Sequence, residues 1–458
     1  MIKKCLAFFN KYQDKINKFL PIFLSTYMVL MILPYVFGRV EAINLFFSSG
    51  WSRAIFRLLT MMYAVIYLLL VGLSNRIKVK WYYLVGGAIL LFILLISSIF
   101  APKDIYKLDG TLGTTISFWE YSYSFVHFFI SISLFIFIIS FLVPIMPSIK
   151  VLNNPLFILI GVTTFAIILS FFLEGKELIE LINGGDAHAK DARSIFQSKN
   201  SFGLFIFLSA ISSAFLILVN EDNNKYSYLF ILIMLFTFMA TIIGCRTAFI
   251  CCFSLIIYLF IRSIILLHRH SKKLFKIILI ILASLALIFV LYMSVPIFHV
   301  KGMDGLYNIT IYSFLRIGDA FAQRAFLWAY AGDVMKNPLF LIFGANFDNA
   351  RYLLISLSHH YSDYHRAYVS WFVQTGIIGT LVYAFLFGYV SYRIYQLIRK
   401  DLEKGLLVLV IFLSSILYGI PETNTMFIST SLFTFITNIL VVIYLEYSLK
   451  SLNIKNNN

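Results

Sequence analysis

The residues best placed to do chemistry are a scattered set of cations and one histidine. Arg246 lies in IIGCRTAF, a stretch that is otherwise almost entirely apolar. Arg193, Lys199 and Asn200 fall in ARSIFQSKNSFG. Arg316 and Arg324 stand eight residues apart in RIGDAFAQRAFLW, on roughly one side of a helix. His365 and Arg366 fall in DYHRAYVSW. A guanidinium pairs with phosphate through two parallel hydrogen bonds. An imidazole is the side chain best matched to base work near neutral pH. Together they suit a substrate with a diphosphate to hold and a hydroxyl to deprotonate.

Each of these residues also has a plainer reading. Arg246 fits a guanidinium snorkelling to a membrane interface, although its cost among apolar residues favours a pairing or a function. Arg324 fits a solvated helix face, or stacking on Trp328 one turn later. Arg193 fits an exposed loop, Lys199 the flank of a span, and Asn200 a helix N-cap. Asp348, Asp363 and Glu422 are alternative bases, and no pair of them has spacing that compels a carboxylate dyad. His359 and His360 lack comparable context, and His127 suits a bond between helices. Cys5, Cys245, Cys251 and Cys252 form neither a CxxC nor a Cys/His pattern, so no zinc site or disulfide framework is indicated. No acidic cluster suggests Mg²⁺ or Ca²⁺.

The elements that must position these groups are membrane spans. Of the 458 residues, 60% are hydrophobic and 13% charged, against about 25% charged in a soluble domain. Apolar runs long enough to cross a bilayer recur from end to end, and they are continuous rather than alternating, so helices are predicted and not strands. Spans are predicted at 19–38, 54–74, 81–100, 120–143, 155–173, 201–219, 227–244, 247–267, 277–297, 374–392, 405–420 and 427–446. The expected fold is an all-α, polytopic bundle of about 12 spans forming a single integral membrane domain over 1–458.

The formal charge of +16 is assigned to cytoplasmic loops rather than to nucleic-acid binding. Lys3, Lys4, Lys11, Lys15 and Lys18 precede the first span. Arg76, Lys78 and Lys80 follow the second, Arg269, Lys272, Lys273 and Lys276 the eighth, and Arg393, Arg399, Lys400 and Lys404 the tenth. All fall on one side if the span count is even, which places both termini in the cytoplasm and the cations and histidine above outside it. The first span lacks a small-x-small cleavage site and is expected to be retained. Between the ninth and tenth spans, 298–373 is expected to be an extracytoplasmic loop. In it, 316–336 reads as an amphipathic helix with Ala320, Phe321, Leu327, Trp328, Ala331 and Met335 on one face, ended by Asn337-Pro338.

At these residues the chain resembles the O-antigen polymerase and ligase superfamily of bacterial surface-polysaccharide assembly. His365-Arg366, nine residues, then Gly376-Ile-Ile-Gly379 is similar to the family pattern H-[NSQ]-x9-G-x-x-[GTY], with Arg366 in place of the usual Asn, Ser or Gln. GCRTAF resembles the family's Ser-Arg-Thr-Ala turn, with Cys245 in place of the small polar residue. QRAFLWAYAGDVMKNPLFLIFGA resembles its R-x-x-x-W…P-L-x-G segment, and FQSKNSFG the element opening the middle span. The likeness covers roughly 190–395.

The resemblance implies a GT-C-like glycosyltransferase of the bacterial cytoplasmic membrane, needing neither metal nor cofactor. Its donor and acceptor would be undecaprenyl-diphosphate-linked oligosaccharides met beside membrane lipid. A flippase and a chain-length regulator of the same pathway would be its protein partners. His365 would be the catalytic base, and Arg246, Arg324 and Arg193 would hold the diphosphate. Arg316, Lys199, Asn200 and Arg366 would be further substrate contacts. Polymerase is favoured by the Lys-Asn element. A ligase passing the glycan to another acceptor is the alternative, and a transporter or flippase is a second.

Overall fold

The computed structural model describes residues 9–36, 50–106, 111–182, 193–196, 198–220, 226, 228–270, 327–346, 350, 353–355, 367–422, 424, 426–427 and 431–457. Long apolar runs without interior charge can satisfy their backbone polar groups in a bilayer only by coiling into helices, and helices are what form. Each predicted span coincides with one except 277–297, which lies outside the described residues. Among the described residues nine helices are long and apolar enough to cross a membrane, with Leu20–Val36 and Tyr228–Ile242 as shorter apolar helices. The chain is a multi-pass helical membrane protein on this evidence of length and composition. Leu59, Phe92, Leu381 and Phe385 are 62%, 61%, 64% and 72% exposed, an outward apolar surface suited to lipid rather than to water.

The chain divides into two units, 1–159 with 319–458, and 160–318. The first begins with α1 (Gln13–Lys18) and α2 (Leu20–Val36). Next come α3 (Gly50–Ser74) and α4 (Trp81–Phe100). Asn75 ties α1 to the end of α3, exchanging side-chain hydrogen bonds with Asn17 at 2.9 and 3.0 Å and accepting from Gln13 at 3.0 Å. A short antiparallel hairpin follows, β1 (Asp104–Tyr106) and β2 (Leu112–Thr115), pairing Asp104 with Thr115. The sequence reading assigns no strand there. Thr115 Oγ1 donates to Asp104 Oδ1 at 2.8 Å across the pair.

Helix α5 (Phe118–Phe137) runs on through a π-helical turn, Ile138–Leu142. Helix α6 (Asn153–Leu173) belongs to the first unit up to Leu159 and to the second from Ile160.

The second unit continues with α7 (Gly175–Ile182), α8 (Lys199–Val219), α9 (Tyr228–Ile242) and α10 (Arg246–His270). Helix α8 is apolar all round and correspondingly buried from Phe202 to Leu216. Ser209 Oγ donates to Thr163 Oγ1 at 2.7 Å and links α8 to α6, a polar bond between helices of the kind membrane interiors use.

The first unit resumes with a helix α11 over 327–334, then α12 (Pro338–Phe343), α13 (Ala367–Lys400) and α14 (Leu402–Gly419). The last span is α15 (Leu432–Thr437), a π-helical stretch Asn438–Ile443, and α16 (Tyr444–Asn457). Arg393 and Glu446 form a two-pronged ion pair at 2.8 and 2.6 Å between α13 and α16.

Candidate functional site

In the second unit, the turn carrying Arg246 is built by glycine. Helix α9 ends in a left-handed Gly244 with φ +68°. The Gly244 N–H donates to the Thr241 carbonyl at 3.1 Å and the Cys245 N–H to the Ala240 carbonyl at 3.0 Å, the Schellman arrangement that glycine favours. Helix α10 starts immediately, so Arg246 occupies its first turn and is half-buried.

Helix α8 starts at the same place in the unit. A Cβ built on Gly203 would lie 2.1 Å from Cys245 Sγ, 2.9 Å from Cys245 Cβ and 3.7 Å from Ala248 Cβ. Gly203 therefore lets the first turn of α8 rest directly against the residue before Arg246. Lys199 lies one turn before Gly203, about 6 Å along the helix axis. FQSKNSFG and GCRTAF thus meet at their glycine and cysteine, and Lys199, Asn200 and Arg246 share one end of the unit. Asn200 is not the cap of α8. Ser198 holds that position in extended backbone, its Oγ accepting from the Ser201 N–H at 3.2 Å.

Arg193 is held at the same end. Phe196 is fully buried and stacks on Phe202 at 5.2 Å between ring centres, with Phe205 at 4.5 Å. The Phe196 N–H closes a turn onto the Arg193 carbonyl at 3.0 Å. Within that turn Ser194 has φ +53°, a conformation that costs a non-glycine residue about 1 kcal/mol or more. It is fixed from α6: Ser194 Oγ donates to the Ala166 carbonyl at 2.6 Å. The Glu174 carboxylate accepts the Arg193 N–H at 3.1 Å and the Ser194 N–H at 3.1 and 2.9 Å. Glu174 had no place among the sequence candidates, because a single carboxylate after an apolar run reads as an ordinary span flank.

The first unit joins the other two motif segments. Helix α11 and the turn after it bury Leu327, Ala331, Val334 and Met335 in a cluster with Ala101, Phe340, Ala345 and Val373, and Trp328 packs against it. The amphipathic reading of 316–336 is therefore visible in its second half. Its end is also as expected, with one addition: Asn337 accepts the Leu339 N–H at 3.0 Å and so caps a new helix, α12, with Pro338 in its first turn.

After α12 the chain crosses α13 at two glycines. Gly344 (φ +84°) and Gly376 (φ +64°) both take conformations that disfavour a side chain. A Cβ at Gly344 would lie 2.3 Å from the Gln374 carbonyl oxygen, and one at Gly376 2.4 Å from that of Ile342. Gly376 breaks α13. The carbonyls of Val373 and Gln374 accept the N–H groups of Ala345 and Asn346 at 2.8 and 3.1 Å. Ser97 Oγ donates to the Gly344 carbonyl at 2.7 Å, and Asn346 Nδ2 to Ser98 Oγ at 2.5 Å. The GIIG motif is thus the place where the P-L…G-A-N segment docks.

Arg316, Arg324, His365 and Arg366 lie outside the described residues, as do Asp348, Asp363, His359 and His360. The chain just beyond His365 is anchored: Ala367 is fully buried and its N–H donates to the Glu422 carbonyl at 2.7 Å. Among the described residues no three His, Cys, Asp or Glu side chains are grouped to hold a metal ion. Comparison of the chain with protein-family models finds no match, and comparison with curated proteins finds none.

Proposed function

We propose that the chain is a membrane-embedded glycosyltransferase that polymerises undecaprenyl-diphosphate-linked oligosaccharide repeat units into a surface polysaccharide at the outer face of the bacterial cytoplasmic membrane. The observation that supports it most is the meeting of the Lys199 element with the Arg246 turn at Gly203, with Arg193 welded to the same end. Two sequence segments contribute three cations there, in a chain otherwise sparing of charge. A polyanionic headgroup beside a bilayer is the ligand such an end fits.

In the proposed reaction an acceptor sugar hydroxyl attacks the anomeric carbon of the donor glycan. The new glycosidic C–O bond forms as the anomeric C–O bond to the lipid diphosphate breaks, and the diphosphate leaves with the electron pair. Arg246, Arg324 and Arg193 bind that leaving group and stabilise its growing charge. His365 takes the hydroxyl proton. Arg316, Lys199, Asn200 and Arg366 contact the remainder of the substrate.

The surface glycan of a strain lacking the protein tests the reading. Single repeat units on an otherwise normal carrier support a polymerase. Long chains left on the lipid carrier would instead mean transfer to a different acceptor, and accumulation of inward-facing precursor would mean transport.

A further inference from the structure

We propose that Glu174 is a positioning residue for Arg193. The carboxylate is 3% exposed, and it spends both oxygens on consecutive backbone N–H groups, those of Arg193 and Ser194. Charge-assisted bonds of this kind are about twice as strong as neutral ones. They hold a peptide unit whose next residue, Ser194, sits at φ +53°. Left to itself a serine favours negative φ. Without the clamp the turn relaxes, and the Cα–Cβ direction of Arg193 swings with it.

The other anchors of the turn do not replace this. Phe196 fixes the far end through Phe202 and Phe205, and Ser194 Oγ fixes one side chain to α6. The Phe196 N–H also holds the peptide plane before Ser194, through the Arg193 carbonyl at 3.0 Å, but neither anchor engages the N–H groups of Arg193 and Ser194 that Glu174 takes. Glu174 comes from the junction of α6 and α7, with its own backbone in a helical ladder: its N–H donates to Ser170 and its carbonyl accepts from Leu178, both at 2.8 Å. A rigid element therefore aims the carboxylate at the loop. That the aimed side chain serves a lipid diphosphate rests on the function proposed above; the clamp does not.

The experiment has two arms. In the first, Arg193→Cys is made in the full-length protein in membranes, and its reaction rate with a charged thiosulfonate reagent is measured with Glu174, Glu174→Gln and Glu174→Ala. Loss of the charge-assisted bonds should raise the rate about tenfold in Glu174→Ala. Glu174→Gln should fall between, because one carbonyl oxygen remains to accept. Equal rates in all three overturn the clamp. In the second arm, polymer yield per protein is measured for Glu174→Ala, Arg193→Ala and the pair. Positioning predicts that Glu174→Ala costs activity only while Arg193 is present. An equal loss in both backgrounds means Glu174 acts elsewhere and overturns the positioning role. Full activity in Arg193→Ala overturns the diphosphate role of Arg193 while leaving the first arm's result standing.

Discussion

Gly203→Ala is the substitution that most directly strains the meeting of α8 with the Arg246 turn. The new methyl would stand 2.1 Å from Cys245 Sγ and 2.9 Å from Cys245 Cβ, where carbon contacts are comfortable at about 3.5–4.0 Å. Rotating the cysteine sulfur away removes the first clash. The second persists and pushes backbone against backbone by several tenths of an ångström, roughly the excess over contact distance. Overpacking of this size costs about 1–3 kcal/mol, and displacing a substrate-holding group by about 1 Å can cost on the order of a hundredfold in rate. Gly203→Ala should therefore lower the thermal midpoint of the detergent-solubilised protein and reduce polymer yield more than protein level. Cys245→Gly, at a cap position where glycine is tolerated, leaves Ala248 Cβ at 3.7 Å as the nearest neighbour. The double variant should recover most of the lost stability, with a coupling of about 1 kcal/mol or more. Additive losses in the pair, or a Gly203→Ala protein as stable and active as the parent, would refute the contact.

Three further outcomes are expected. Gly376→Ala meets a backbone carbonyl at 2.4 Å in a left-handed conformation, so it should prevent accumulation of folded protein, whereas Gly388→Ala, with open space around its Cβ, should be neutral; equal protein levels for the two would contradict the glycine crossing. Asp401 caps α14 through the Lys404 N–H at 3.1 Å and pairs with Lys404 Nζ at 2.6 Å. Partial burial raises its carboxyl pKa, but the Lys404 contacts prevail and hold it below the usual carboxylate value. Its stabilisation is then full at neutral pH and fades as pH falls through that lowered pKa. Asp401→Ala should cost about 1 kcal/mol at pH 7 and progressively less in acid; a gap that widens in acid would reverse the assignment. Cysteines placed by Arg193→Cys, Arg246→Cys and His365→Cys should react with an impermeant thiol reagent in intact cells, and Lys272→Cys should not; labelling at 272 would invert the topology read from the basic loops.

The helices described at the predicted spans were legible because each is an apolar run of near-bilayer length, whose backbone polar groups a helix satisfies internally. Their ends were not. The tenth predicted span, 374–392, grows into Ala367–Lys400, because hydropathy marks only the apolar centre, and the helix continues through polar flanks to Arg399 and Lys400. The hairpin 104–115 and the two π-helical turns have no run length or period to announce them. The Arg246 turn was legible because Gly-Cys-Arg interrupts an otherwise apolar stretch. The cap of α8 was not, since Ser198, Asn200 and Ser201 are all able to cap and backbone geometry decides among them. Gly376 stood out as a motif residue, but its role depends on a segment thirty-two residues earlier in the chain, around Gly344. No local pattern discloses that pairing, and none discloses Glu174 reaching nineteen residues forward to Arg193.

The central claim is best tested by single-protein turnover. Purified protein in detergent is given lipid-linked repeat units of the producing strain and excess EDTA, and chain length is followed with time. The parent should make polymer with release of lipid diphosphate. Arg246→Ala should lose about 30- to 1000-fold in rate, with Arg246→Lys between the two, since lysine keeps the charge and loses the fork. His365→Ala should lose about 10²- to 10⁴-fold at saturating donor while donor affinity holds. Polymer made at the parent rate by both alanine variants, or no polymer from the parent until a divalent metal is added, would contradict the account.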